Sequence, residues 1–307
     1  MIKVSIIMPV FNAEKLIKKA INSILKQTLE SWELLLIDDG STDNSPQICD
    51  AYSSQDNRIK VIHKKHNEGV AMARQTGIDN ALGEYSIHID ADDWIEPTML
   101  EELYNSAQND QADIVIVDYI VNFNNAQKVI KQTPTSLHSK DILIDIFNNK
   151  LFGALWNKFI RTNLFTQYNI RFIPNINHCE DILFLVQLLQ NNNLIISYLP
   201  KAFYHYQINS SSITQNFTYD TYRTRLEFKN KLNELLTLPQ KSQIIKNVSF
   251  GIFTEAFIYR VLSTNEIRKG LYEYRNQISH IKSPKWKIGF YLLKWGFYNL
   301  AHKFIHY

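Results

Sequence analysis

The stretch Ile87-His88-Ile89-Asp90-Ala91-Asp92-Asp93-Trp94 runs an apolar strand straight into three carboxylates and then an aromatic ring. A strand can end buried, but unpaired acids at its tip cannot, because desolvating isolated charge is too costly. A cation answers that need. Hard oxygen ligands suit Mg²⁺ or Mn²⁺, which take one or two carboxylates together with water and substrate phosphates. The rest of the chain reads as the means of bringing a phosphate-bearing ligand to this tip.

Upstream, strand and helix alternate. Val4 to Val10 is a short β-branched run, and Leu16, Ile17, Ala20, Ile21, Ile24 and Leu25 follow at helical spacing. Trp32 to Ile37 is a second strand, and Asp38-Asp39-Gly40-Ser41-Thr42-Asp43 ends it with turn and N-cap residues ahead of a helix through Ile48, Cys49 and Tyr52. Ile59 to Ile62, Tyr85 to Ile89 and Ile114 to Val117 read as further strands, with helices over Val70 to Ala81 and Met99 to Ala107. This order predicts an α/β fold with a mainly parallel sheet covered by helices on both faces. Ligands of such sheets lie outside the carboxyl ends of the strands. The polar clusters after Val10, Ile37 and Ile89 all fall on that edge.

Downstream the pattern loosens. Val121 to Lys131 reads as added antiparallel strands, Asp141 to Asn149 as a helix, and Phe152 to Ile160 as a strand near a site. Glu180 and Asp181 then open a helix whose buried side carries Leu183, Phe184, Val186, Leu188 and Leu189. From about Asp220 the signal is helical, over Tyr222 to Leu236, Lys241 to Leu262 and a last segment from Pro284. The expected division is a catalytic domain over 1–215 and a helical C-terminal appendage over 216–307.

The 307 residues suffice for one large domain with an appendage, and a net charge of +3 gives no sign of a nucleic-acid binder. Cys49 and Cys179 are far apart and form no Cys-x-x-Cys pair, so a reduced cytosol is the simplest compartment. The N-terminus reads as a strand rather than a signal peptide, and no apolar run is long enough to span a membrane. Residues 282–307 hold five Lys and no acid among many aromatics. That composition fits a helix lying at the inner face of a membrane, or else one packed on the domain or in a dimer.

After the first strand stands Pro9-Val10-Phe11-Asn12-Ala13, so both the Rossmann glycine fingerprint and the Walker sequence are absent. Phe11 suits packing on a flat base, Asn12 can hydrogen-bond, and Asp39 could accept from a uracil N–H. Taken in order, Val4 to Asn12, Asp38 to Asp43, Asn67-Glu68-Gly69-Val70-Ala71-Met72-Ala73-Arg74, Asp90-Ala91-Asp92-Asp93 and Glu180-Asp181 resemble the family 2 glycosyltransferases with the GT-A fold, over roughly residues 1–210. The resemblance implies inverting transfer of a sugar from a nucleoside diphosphate sugar, usually a UDP-sugar, to a saccharide or lipid-linked acceptor hydroxyl in bacterial polysaccharide synthesis. It implies that Pro9, Phe11, Asn12 and Asp39 bind the base and that Arg74 lies near the diphosphate. It also implies that Asp90 and Ala91 serve the ribose side, that Asp92 and Asp93 hold Mn²⁺ or Mg²⁺ with His205 as a late additional ligand, and that Asp181 is the catalytic base beside Glu180. Two positions depart from the family pattern: Gln75 stands where Asn is frequent, and Gln207 where an Arg often follows the strand. The competing readings are a non-catalytic member that binds nucleotide sugar or glycan and, less consistent with the position of the acids, an Asp-dependent phosphatase.

Overall fold

The computed structural model describes residues 1–123, 126–208 and 217–306. The chain divides into two compact units, residues 1–209 and 210–307. The boundary expected at 215/216 lies outside the described residues.

The first unit is built on β1 (Val4–Val10), β2 (Trp32–Asp38), β3 (Ile59–His63) and β4 (Tyr85–His88), which pair in parallel in the order β3-β2-β1-β4. Every residue of β2 and all of β1 but Pro9 are buried, which is why both strands read as unbroken apolar runs rather than alternating ones. Helix α1 (Ile17–Leu25) buries Ile17, Ala20, Ile21 and Ile24, the stripe that its periodicity predicts. Pro9 lacks a backbone N–H and would weaken a strand paired throughout on both sides. It is tolerated because β1 pairs with β4 only as far as Ile7 opposite His88, so the two strands have parted before Pro9. That parting opens the carboxyl edge of the sheet.

Beyond β4 the sheet is mixed. Strand β8 (Lys158–Arg161) wedges antiparallel between β4 and β6 (Ile114–Phe123), and β7 (Ala126–Ile130) folds back on β6. The long β9 (Ile196–Gln207) runs parallel to β6, with register shifts between Val117 and Tyr119. Its far end pairs with the two-residue β5 (Trp94–Ile95), which sets His205 opposite Trp94 and Tyr204 opposite Ile95. Two strands distant in sequence thus close on the acidic tip that follows β4. Helices α2 (Ser45–Ser53), α3 (Val70–Asn80), α4 (Met99–Asn109), α5 (Ser139–Phe147), α6 (Asn163–Gln167) and α7 (Glu180–Leu189) complete the unit.

The second unit is helical: α8 (Tyr219–Leu235), α9 (Lys241–Ile258), α10 (Thr264–Glu273), α11 (Arg275–Ser279), α12 (Pro284–Lys294) and α13 (Tyr298–His306). Helix α9 stops short of the expected Leu262. Arg260 takes a left-handed φ of 56°, and Ser263 with Glu266 forms a capping box that starts α10. This unit has its own core around Phe253, Phe257, Ile267, Phe290 and Leu293. Among the described residues no helix is long and apolar enough to cross a membrane.

Candidate active site

At the tip of β1, Phe11 is 48% exposed, free to receive a flat ring. Asn12 has a left-handed φ of 49°, and its amide oxygen accepts from Thr42 N–H at 2.8 Å. The Asn12 side chain therefore ties the first edge loop to the second. Asp39 is buried and accepts from the N–H groups of Glu68 (3.1 Å) and Gly69 (2.7 Å), with Lys64 Nζ 3.3 Å away. Its carboxylate anchors the start of α3, while lone pairs remain for a donor such as a base N–H.

Gly69 takes a φ of +90°, and a Cβ there would collide with the Asn177 amide, whose oxygen accepts from Ala71 N–H at 3.3 Å. The bare backbone lets the loop before α7 settle against the start of α3. One turn further along, Arg74 is buried and binds three acids from separate parts of the chain. Its Nη2 donates to Asp90 at 2.9 Å, and its Nη1 donates to Glu180 at 2.5 Å and to Asp181. Asp181 Oδ2 also accepts from Leu155 N–H at 3.1 Å. Three carboxylates around one guanidinium leave excess negative charge in a desolvated place. Burial comes first and the neighbouring acids next in raising both helix carboxyls, Glu180 to about 7, against the opposing pull of Arg74.

Arg74, expected near the diphosphate, is buried, and its side chain joins Asp181 to Asp90 at the tip of β4. His88, just before that tip, is held neutral by burial and by the Arg74 charge.

The expected metal set is not brought together either. Asp93 turns inward, 1% exposed, and accepts from Tyr204 Oη at 2.6 Å and from Gln207 N–H at 2.8 Å. Burial, then Asp92 and Asp90, push its carboxyl well above the usual range. His205 places Nε2 2.7 Å from Glu96 Oε1 and Nδ1 3.4 Å from Asn122 Oδ1, and its ring stacks on Trp94 at 4.8 Å. Both ring nitrogens are engaged. Among the described residues no group of three His, Cys, Asp or Glu side chains could hold a metal ion. Ala91 is buried between Asp90 and the half-buried Asp92.

Several participants escaped the sequence reading. The Tyr204 hydroxyl donates to Asp93 and accepts from Asp90 N–H at 3.2 Å, which fixes the backbone of the acidic tip. Trp156 stacks on Tyr204 at 4.4 Å. Lys158 is fully buried and donates to the carbonyls of Phe152 (2.8 Å) and Ala154 (2.7 Å) and to Asn157 Oδ1 (2.8 Å). It thereby shapes the loop that carries Leu155 to Asp181. A buried Lys with only uncharged hydrogen-bond acceptors has no local signature in sequence. A separate cavity of about 470 Å³ lies at the opposite edge of the sheet, beside Gly83 and Arg161, and none of these site acids lines it.

The family model for Glycosyl transferase family 2 matches residues 5–169. The chain is 33% identical to EpsH of Bacillus subtilis over 75% of its own length and 71% of that protein's. It is 31% identical to the cholesterol galactosyltransferase of Borreliella burgdorferi, over 92% of this chain and 87% of that one. Among solved structures, S. aureus TarS residues 1–349 in complex with UDP-GlcNAc superposes with a TM-score of 0.70 at 22% identity, covering 99% of this chain and 90% of that chain.

Proposed function

This chain belongs to glycosyl transferase family 2 and is a glycosyltransferase, and on that premise we propose that it moves a sugar with inversion from a UDP-sugar to a hydroxyl of a saccharide or lipid-linked acceptor in bacterial glycan synthesis. The observation that carries this reading is the Arg74 clamp, which joins Asp181 from α7 to Asp90 at the end of β4. In the proposed reaction the acceptor oxygen attacks the anomeric carbon while its proton passes to Asp181. The bond from that carbon to the diphosphate oxygen breaks, and the electron pair leaves with UDP. One displacement inverts the centre and needs no covalent sugar-enzyme intermediate.

Phe11 would pack on the base and Asp39 would accept its N–H, in keeping with the exposed ring and the spare lone pairs. Asp92 is the half-buried member of the expected metal set and carries hard carboxylate oxygens. One carboxylate together with donor phosphates matches the habit of Mg²⁺ or Mn²⁺. Such an ion would supply a Lewis acid for the departing diphosphate. Glu180 shares the Arg74 clamp and sets the charge around the base.

The test is a screen of nucleoside diphosphate sugars with and without Mn²⁺, with the anomeric configuration of the product read by NMR. A UDP-sugar giving an inverted product only with the metal, and Asp92→Asn losing that metal response, is the expected outcome. A retained configuration would overturn the mechanism, and transfer from another nucleotide alone would overturn the base assignment.

A further inference from the structure

Residues 274–307 carry six Lys and Arg and no Asp or Glu. Within them, the helical hairpin α12–α13 uses apolar side chains twice. One set, Phe290, Leu293, Ala301 and Ile305, is buried with Phe253 and Phe257 in the core of the second unit. Gly289 lets the two helices meet there, since a Cβ at that position would run into Ile305. The other set is exposed: Ile288 and Tyr291 on α12 with Trp295 at its C-cap, then Phe297, Leu300 and Phe304 leading into and along α13.

Each exposed triplet has the spacing i, i+3, i+7, so each forms a single stripe on its helix. Single exposed apolar residues are ordinary, but two repeated stripes with Trp295 72% and Tyr291 63% exposed mark a docking face. Lys287 and Lys294 border the first stripe and Lys303 borders the second, all exposed. Beside the first stripe lies a groove of about 740 Å³ whose lining includes Arg268, Arg275, Lys287 and Lys294 and no acid.

We propose that this face of α12–α13 lies on an anionic phospholipid bilayer, with the aromatic stripes in the headgroup boundary and the basic groove over the lipid phosphates. Helices of 11 and 9 residues cannot cross a bilayer, but amphipathic helices with Trp and Phe on one face and Lys at its border bind in its plane. A second copy of the chain fits the face poorly, because two surfaces rich in lysine and without acids repel. The inference rests on the second unit alone, so it stands or falls apart from the assignment of Asp181.

The experiment is co-sedimentation of the full chain with vesicles of phosphatidylcholine alone and of phosphatidylcholine doped with phosphatidylglycerol. Binding to the doped vesicles only, weakened by added salt, is expected. The variants Lys287→Gln/Lys294→Gln and Tyr291→Ser/Trp295→Ser should each lose about tenfold or more in vesicle affinity. All these side chains are exposed, so an unchanged circular dichroism melt keeps the comparison valid, and a single Trp295→Ser variant serves if a double variant unfolds. No binding to the doped vesicles, equal binding to neutral ones, or variants that bind like the parent would overturn the inference. So would a concentration-dependent dimer that the same substitutions dissolve.

Discussion

Two carboxyls held by one buried arginine make the proposed base, Asp181, sensitive to pH. Glu180 is pushed up to about 7 and Asp181 is raised as well, chiefly by burial. Below that range the pair keeps a proton and Asp181 is a poor base. The transfer rate should therefore climb as pH rises through about 7 and level off above. Glu180→Gln removes the like charge and should move this limb to lower pH, as a pH series of kcat/KM would report. For stability the sign is opposite. The folded values lie above the unfolded carboxylate range of about 4, so the pair's contribution is full below that range and is lost as pH rises through the folded value. Melting curves of the parent and the Gln variant should diverge accordingly.

Lys158 holds the backbone beside the same carboxyl pair. Burial lowers its ammonium to about 7, and its three donors all go to the loop over 152–157. Lys158→Met leaves those acceptors unmet and frees Leu155 from Asp181. We expect kcat to fall by about ten- to a hundredfold with the donor KM little changed, since small misplacements cost that much. A loss confined to KM would contradict the positioning role.

At the scale of elements, the start of α3 is where backbone geometry and the site meet. Gly69→Ala meets both a left-handed φ and the Asn177 amide. It should cost about 2 kcal/mol or more in urea unfolding. Adding Asn177→Ala relieves the collision but not the φ, so only part of the loss should return. The four parallel strands and their helices were legible because burial on both faces leaves unbroken apolar runs such as Leu34-Leu35-Leu36-Ile37. The mixed half was not. The four-residue β8 inserts between β4 and β6 by pairing across long sequence separations, and no local pattern encodes that. The order of the candidate residues was legible, but the partners of Arg74, Asp93 and His205 were not, because tertiary structure alone supplies them. A carboxylate facing inward to Tyr204 spells the same in sequence as one facing a cation.

At the scale of the whole molecule, the two units bury separate cores: one includes Val4, Leu34 and Phe159, the other Phe253, Phe257 and Leu293. A ligand of the first unit should therefore stabilise that unit selectively. UDP at a hundred times its dissociation constant adds about 2.7 kcal/mol. Calorimetry should show the transition belonging to residues 1–209 moving upward, with any separate transition of the helical unit left in place. An equal shift of two resolved transitions would contradict this independence.

Asp181, held by Arg74 against the tip of β4, is the proposed base of transfer. The most direct measurement pairs a UDP-binding isotherm with a transfer assay on Asp181→Asn. The expected result is UDP affinity within about twofold of the parent and transfer reduced by roughly a thousandfold, within the range for removal of a general base. Transfer that survives the substitution, or a loss of UDP binding that accounts for the loss of transfer, would contradict it.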